Sequence, residues 1–112
     1  MAVDFDQEVQ GALDGLPVEL RKAMSNVTVV VEEEPPVGAG LLGLYQGVPL
    51  TRRGSGYGGV LPDKITIYRG PLERLYGADE ELLRERIRHV VVHEVAHHFG
   101  ISDERLIELG RY

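Results

Sequence analysis

The longest periodic segment of the chain runs from Asp79 to Phe99, and it predicts a helix around which any fold must be built. Acidic residues open the segment, as suits the positive end of a helix dipole, and Gly100 ends it. Ile87, Val91, Val95 and Phe99 recur at every fourth position and are expected to face the core. His93 and His97 lie about 200° around the axis from their neighbours Val91 and Val95, so they share a separate face.

These two histidines belong to the string HEVAH, which is an HExxH pattern on the predicted helix. Their spacing places two imidazoles one turn apart, close enough to hold one metal ion. Catalytic zinc usually takes three protein ligands, and the chain has no cysteine to supply one. Gly100 can reverse the chain and return Asp103 to the metal. Asp103 also lies in a Ser-Asp-Glu cluster typical of a helix N-cap, so ligand and cap are both open interpretations.

Two further histidines lie close to this pattern. His89 precedes His93 by one turn and is an alternative ligand, although that choice leaves Gly100 and Asp103 unexplained. His98 is predicted to point about 100° away from His97, toward a packing or surface position.

The rest of the chain predicts an α+β fold in which residues 1–112 form a single domain. The N-terminal residues 4–23 predict an amphipathic helix that Pro17 can interrupt. The β-branched run Asn26–Val31 predicts a strand buried on both faces, and it is favoured as the central strand. LLGLYQG can form a second strand, and Lys64–Arg69 alternates as a half-buried or edge strand does.

The remaining segments complete this prediction. PLERLYG is expected to form one or two helical turns, and Asp103–Leu109 a short closing helix. RRGSGYGGVL contains a formal GxGxxG pattern, but it neither follows a clear strand nor opens a helix, so a flexible loop is predicted. We therefore expect a small mixed sheet of about three to four strands, packed against the N-terminal helix and the HExxH helix.

Composition limits the partners that the domain can have. The 18 acidic and 12 basic residues give a net charge of -6, which opposes binding to nucleic acid. The N-terminal residues 1–15 lack the basic start and apolar run of a signal peptide, and no stretch approaches about 18 apolar residues. We expect a cytoplasmic protein that does not bind membranes.

The string HEVAHHFGISD resembles the metzincin-type signature HExxHxxGxxH/D. With LYQGVPLTRR and LPDKITIYRGPL, it is similar to the minimal zincin-like metallopeptidase family over roughly residues 40–110. The resemblance implies one zinc ion per chain held by His93, His97 and Asp103, with Glu94 as the general base. It also implies a peptide or protein substrate, whose extended chain could pair with the edge of the Lys64–Arg69 strand.

One departure from the metzincin pattern concerns the parts that follow the third ligand. The chain ends nine residues after Asp103, and Met1 and Met24 cannot form a methionine turn there. A tyrosine that stabilises the transition state must therefore come from elsewhere, and Tyr68 and Tyr112 are the candidates. The alternative function is a zinc-stabilised, catalytically inactive module that binds peptides or regulates a partner.

Overall fold

The computed structural model describes residues 3–24, 26–47 and 63–108. In chain order, the elements in these ranges are α1 (Phe5–Asp14), α2 (Val18–Ala23), β1 (Val27–Glu32), β2 (Gly43–Gln46), β3 (Asp63–Tyr68), α3 (Arg69–Tyr76), α4 (Glu80–His98) and α5 (Asp103–Glu108). They form an α+β fold with a three-stranded mixed sheet, as predicted. The GxGxxG segment and Tyr112 lie outside the described residues. None of the described helices combines the length and apolarity that a membrane span requires.

The N-terminal helix is interrupted where the sequence predicts it. Helix α1 ends at Asp14, and α2 begins at Val18, directly after Pro17. Proline lacks a backbone N–H and is well tolerated only where a helix begins. The side chain of Asp4 caps α1 by accepting a hydrogen bond from the Gln7 backbone N–H at 3.1 Å. The apolar face of α1 is buried and packs against α4.

The strand order β1-β3-β2 overturns two predictions about the sheet. Asn26–Val31 was predicted to be the central strand, but β1 lies at an edge and is only half-buried. Lys64–Arg69 was predicted to be half-buried or at an edge, but β3 is central, parallel to β1 and antiparallel to β2. Thr66 is 1% exposed although its polarity indicates a solvated position. A run of β-branched residues indicates that a segment forms a strand. It does not indicate whether that strand is central or at an edge of the sheet.

Helix α4 crosses the sheet and carries much of the core. The Asp79 carboxylate caps its start by accepting hydrogen bonds from the N–H groups of Glu81 and Leu82, both at 3.1 Å. Gly100, with φ of 82°, ends it in the left-handed conformation that glycine adopts without strain. The four core positions predicted from the periodicity are all buried or partly buried. The opposite face of α4 is thereby left for polar side chains.

A close contact at Gly70 holds the start of α3 against the end of β1. The Gly70 N–H donates to the Glu33 carbonyl at 2.8 Å, and a Cβ at this position would lie 2.7 Å from that carbonyl oxygen. The same Cβ would overlap the Glu34 carboxylate. No side chain fits here unless the backbone moves.

Gly70→Ala is therefore expected to lower the free energy of unfolding by about 1–3 kcal/mol, the usual effect of overpacking. Urea unfolding of the variant and of wild type would measure the difference. Gly15→Ala is the control, since a Cβ there meets no atom closer than 3.4 Å and φ is -78°. Its midpoint should stay near the wild-type value, and a Gly70→Ala midpoint equally unchanged would contradict the prediction.

Candidate metal centre

Two histidines on one face of α4 form the base of the site. The rings of His93 and His97 lie one turn apart, with centroids 4.7 Å apart and planes inclined by 68°. Both side chains are partly buried, at 15% and 27% exposed, and both line a cleft. The prediction that His93 and His97 share one face of the helix is confirmed. Their imidazoles are positioned to bind the same ligand.

Asp103 meets both histidines from the segment after α4. Its Oδ1 lies 2.8 Å from Nε2 of His97 and 3.1 Å from Nε2 of His93. The left-handed turn at Gly100 reverses the chain and makes this approach possible. Ser102 supplies the cap of α5, since its Oγ accepts from the Arg105 N–H at 3.1 Å. The Asp103 carboxylate therefore faces the histidines, and Ser102 performs the capping role that was the alternative interpretation of Asp103.

Glu94 lies beneath this cluster and is buried, with 7% of its surface exposed. Its Oε1 lies 3.3 Å from Nδ1 of His97, and the polar backbone of Tyr45 is a further neighbour. Burial raises the pKa of Glu94 above its ordinary value, and the nearby His97 and, more weakly, the Tyr45 backbone partly oppose that effect. The carboxylate is thus less acidic than an exposed one and has fixed neighbours.

The donor atoms fit a small divalent ion. Ligand atoms of His93, Glu94 and His97 all lie within 4.8 Å of one another, a group that could hold a metal. Zinc–ligand bonds of about 2.0–2.1 Å in a tetrahedron separate the donors by about 3.3 Å. The Asp103 oxygen is a few tenths of an ångström closer than that to the two Nε2 atoms, so small movements would admit an ion. The Glu94 carboxylate approaches His97 from the other side of the ring, at Nδ1, whereas Asp103 contacts Nε2.

His89 was an alternative ligand in the sequence, and the structure places it elsewhere. It lines the cleft one turn before His93, with the two ring centroids 6.3 Å apart. Among the described residues, the group that could hold a metal consists of His93, Glu94 and His97 and includes neither His89 nor Asp103, but Asp103 lies within 3.1 Å of Nε2 of both His93 and His97. His89 is therefore a wall residue of the cleft in this arrangement.

The cleft over the histidines has a volume of about 360 Å³. One wall comes from α4 and Asp103, and the other from the segment Gly40–Tyr45, which includes β2. Leucines and Val90 make much of this lining apolar, with the polar groups gathered at one place. An apolar cleft with a few convergent polar groups is typical of a ligand-binding or active site.

Three residues near the site were not predicted to act together. The Asp63 carboxylate accepts a hydrogen bond from the Tyr45 hydroxyl at 2.6 Å and lies 2.7 Å from Nδ1 of His98. His98 was predicted to pack or to face the surface, and it is 1% exposed. Tyr68, a candidate for stabilising the transition state, is buried in β3 and is not among the described residues that line the cleft. Sequence spacing carries no signal for partners that are 35 residues apart.

The electrostatics of His93 predict how metal-free protein responds to pH. Burial lowers the pKa of His93 below its ordinary value of about 6.5, with a further reduction from His97, although Asp103 opposes both. Below about pH 6.5 the unfolded chain therefore binds a proton that the folded chain does not. This contribution to stability is fully present above that pH and is lost as pH falls toward the lowered pKa.

Between pH 7 and pH 5, the urea midpoint of the chelator-treated wild type is expected to decrease relative to that of His93→Gln, because only wild type loses this contribution. Equal slopes in the variant and in wild type would show that burial does not control this histidine.

A family model described as zincin-like metallopeptidase matches residues 24–111 of the chain. No curated protein matches the chain. The match spans all three strands and the HExxH helix, and it confirms the resemblance found in the sequence.

Proposed function

The chain belongs to the zincin-like metallopeptidase family, and on that premise we propose that it is a zinc-dependent peptidase. The observation that carries the proposal is the convergence of Asp103 on the two Nε2 atoms of His93 and His97, in an open cleft beside the buried Glu94. His93, Glu94 and His97 lie on α4, and Asp103 lies at the start of α5. The site therefore combines a set of metal donors with a separate carboxylate.

In this proposal His93, His97 and Asp103 hold the ion. Two imidazoles and one carboxylate are a donor set that suits zinc and leaves a position open. Zinc would supply a Lewis acid that polarises a carbonyl and makes a water molecule more acidic. A proton on Nδ1 of His97, donated to Glu94, would leave Nε2 free to act as a ligand.

Glu94 acts as the general base and then as the general acid. Its carboxylate accepts a proton from the attacking water and delivers it to the departing amine. Burial supports this role, because a carboxylate with a raised pKa can hold that proton between the two steps. The contacts to His97 and to the Tyr45 backbone restrict the directions in which the carboxylate can point.

The substrate is a peptide segment that lies along β2. Lys64–Arg69 cannot offer its edge, because β3 is paired on both sides. The Leu42 carbonyl accepts from the Tyr68 N–H at 2.9 Å, so the alternation of an antiparallel ladder directs the backbone groups of Gly43 outward. An extended peptide could pair there and place its side chains against the apolar cleft wall.

Two measurements on one preparation test the proposal. Zinc per chain is measured by mass spectrometry after purification without chelator, and cleavage is measured with fluorescence-quenched casein and a peptide library. We expect about one zinc per chain, cleavage that phenanthroline abolishes, and recovery when zinc is restored. One zinc without cleavage would indicate a zinc-stabilised binding module, and absence of zinc would contradict the assignment of the centre.

A further inference from the structure

A buried network of three side chains lies beside the metal centre, and none of the chemistry proposed above uses it. Tyr45 comes from β2, Asp63 from the start of β3, and His98 from the end of α4. Asp63 and His98 are each 1% exposed. The Tyr45 ring also packs edge-on against the His98 ring, with centroids 5.7 Å apart. The Tyr45–Asp63–His98 network therefore joins β2, β3 and α4 beside the site.

One oxygen organises this network. Oδ2 of Asp63 lies 2.6 Å from the Tyr45 hydroxyl and 2.7 Å from Nδ1 of His98. A carboxylate only accepts, so both neighbours donate to it, and the proton of His98 lies on Nδ1. Short hydrogen bonds to a buried carboxylate are strong and directional. They fix the Tyr45 side chain relative to α4.

The packing of β2 on α4 follows the same row of the helix. Val90, Glu94 and His98 are spaced four residues apart and form one stripe along α4. At the other end of the contact, Gly43 approaches so closely that a Cβ would lie 2.6 Å from Val90 and 3.2 Å from Cγ of Glu94. Strand β2 therefore contacts this stripe closely at Gly43, and Tyr45 is connected to it through Asp63 and His98. Glu94 lies between these two points.

Tyr45 connects the network to the proposed base. Its side chain is held by Asp63, and its backbone lies in the part of β2 that packs on Glu94, where it is a polar neighbour of the Glu94 carboxylate. Because the side chain and the backbone belong to one residue, a shift of the anchored side chain moves the backbone that faces Glu94. The network can therefore act on the base through the backbone of β2.

We propose that the Tyr45–Asp63–His98 network is a positioning device, which holds the backbone of Tyr45 against the carboxylate of Glu94. The inference rests on the proposed function in one respect, which is that Glu94 is the catalytic base. The three residues are positioning residues and not catalytic ones. A purely structural network would stabilise the fold but would not affect the contact between residues 45 and 94.

An NMR cycle on the full-length protein tests the contact without any need for activity. The amide proton shift of residue 45 is measured in wild type and in Glu94→Gln, and again in a Tyr45→Phe background. Removing the hydroxyl should reduce the shift change caused by Glu94→Gln to less than about half of its wild-type size, as expected for coupled groups. Tyr76→Phe removes a hydroxyl from α3 and is the matched control, in which the change should be undiminished.

Kinetics with fluorescence-quenched casein provide the second readout. Tyr45→Phe should lower kcat about tenfold and leave KM within about twofold, because the base is displaced while the substrate groove remains. Asp63→Asn makes the same oxygen a weaker hydrogen-bond acceptor. It should likewise lower kcat and leave KM almost unchanged. Tyr76→Phe should retain wild-type kinetics.

The outcomes separate the two claims. An undiminished shift change in Tyr45→Phe, or a kcat equal to that of Tyr76→Phe, would overturn the positioning role. If wild type cleaves neither casein nor the peptide library, the proposed function fails, and the NMR cycle still decides whether the network positions Glu94.

Discussion

His97→Ala is expected to leave the protein with almost no bound zinc. The substitution removes one proposed donor, and it also removes the group that lies 2.8 Å from Asp103 and 3.3 Å from Glu94. Two remaining donors cannot complete the three-ligand set that such sites need. Zinc per chain after dialysis should fall from about one to less than about 0.1. Mass spectrometry of metal and protein in the same sample measures this ratio.

Two further variants make this experiment specific. His89→Ala removes a histidine from the same side of α4, one turn from His93, and should retain its zinc because the His89 ring lies 6.3 Å from the His93 ring, farther than the 4.7 Å between His93 and His97. Asp103→Ala should weaken zinc binding at least about a hundredfold, by loss of the third ligand. Wild-type affinity in Asp103→Ala would instead assign the third position to Glu94, whose carboxylate is also within reach.

Features that depend on local sequence could be predicted. Helix α4 carries its own start signal at Asp79, its own end at Gly100 and a regular apolar row between them. These signals determine the helix whatever packs against it. The placement of His93 and His97 on one face follows from helix geometry alone. The interruption of the first helix at Pro17 is equally local.

Features that depend on distant partners could not be predicted. Strand order depends on which segments cover each edge, and β1 and β3 are both rich in β-branched residues. Thr66 is polar, yet it is buried because its strand is central. The hydrogen bond between Asp63 and Nδ1 of His98 pairs two buried side chains that are 35 residues apart, and no periodic pattern in the chain indicates such a pair.

Asp103 lies between these two cases. Its distance from the HExxH pattern and the glycine before it indicated a return toward the histidines, while its neighbours indicated a helix cap. The structure brings its carboxylate to both Nε2 atoms and gives the capping bond to Ser102. Its binding to zinc remains a prediction for the metal measurements above.

Glu94→Gln is expected to reduce turnover by about 10²–10⁴-fold, the usual contribution of a general base. Glutamine has nearly the same shape, so the site should keep its geometry and its zinc. Hydrolysis of fluorescence-quenched casein and zinc content, measured on the same preparation, test both statements. Glu85→Gln, an exposed position on the same helix, is the control and should retain full activity.

The same substitution should leave the metal-free protein at least as stable as wild type at pH 7 to 8. Burial raises the folded-state pKa of Glu94 above its ordinary value of 4.5. The carboxylate thus favours folding most below that value, and this contribution is lost as pH rises through the raised pKa. Glutamine carries no charge to bury, so its advantage should grow with pH in urea unfolding with chelator present. A less stable variant that retains turnover would make Glu94 an anchor for β2 instead of the base.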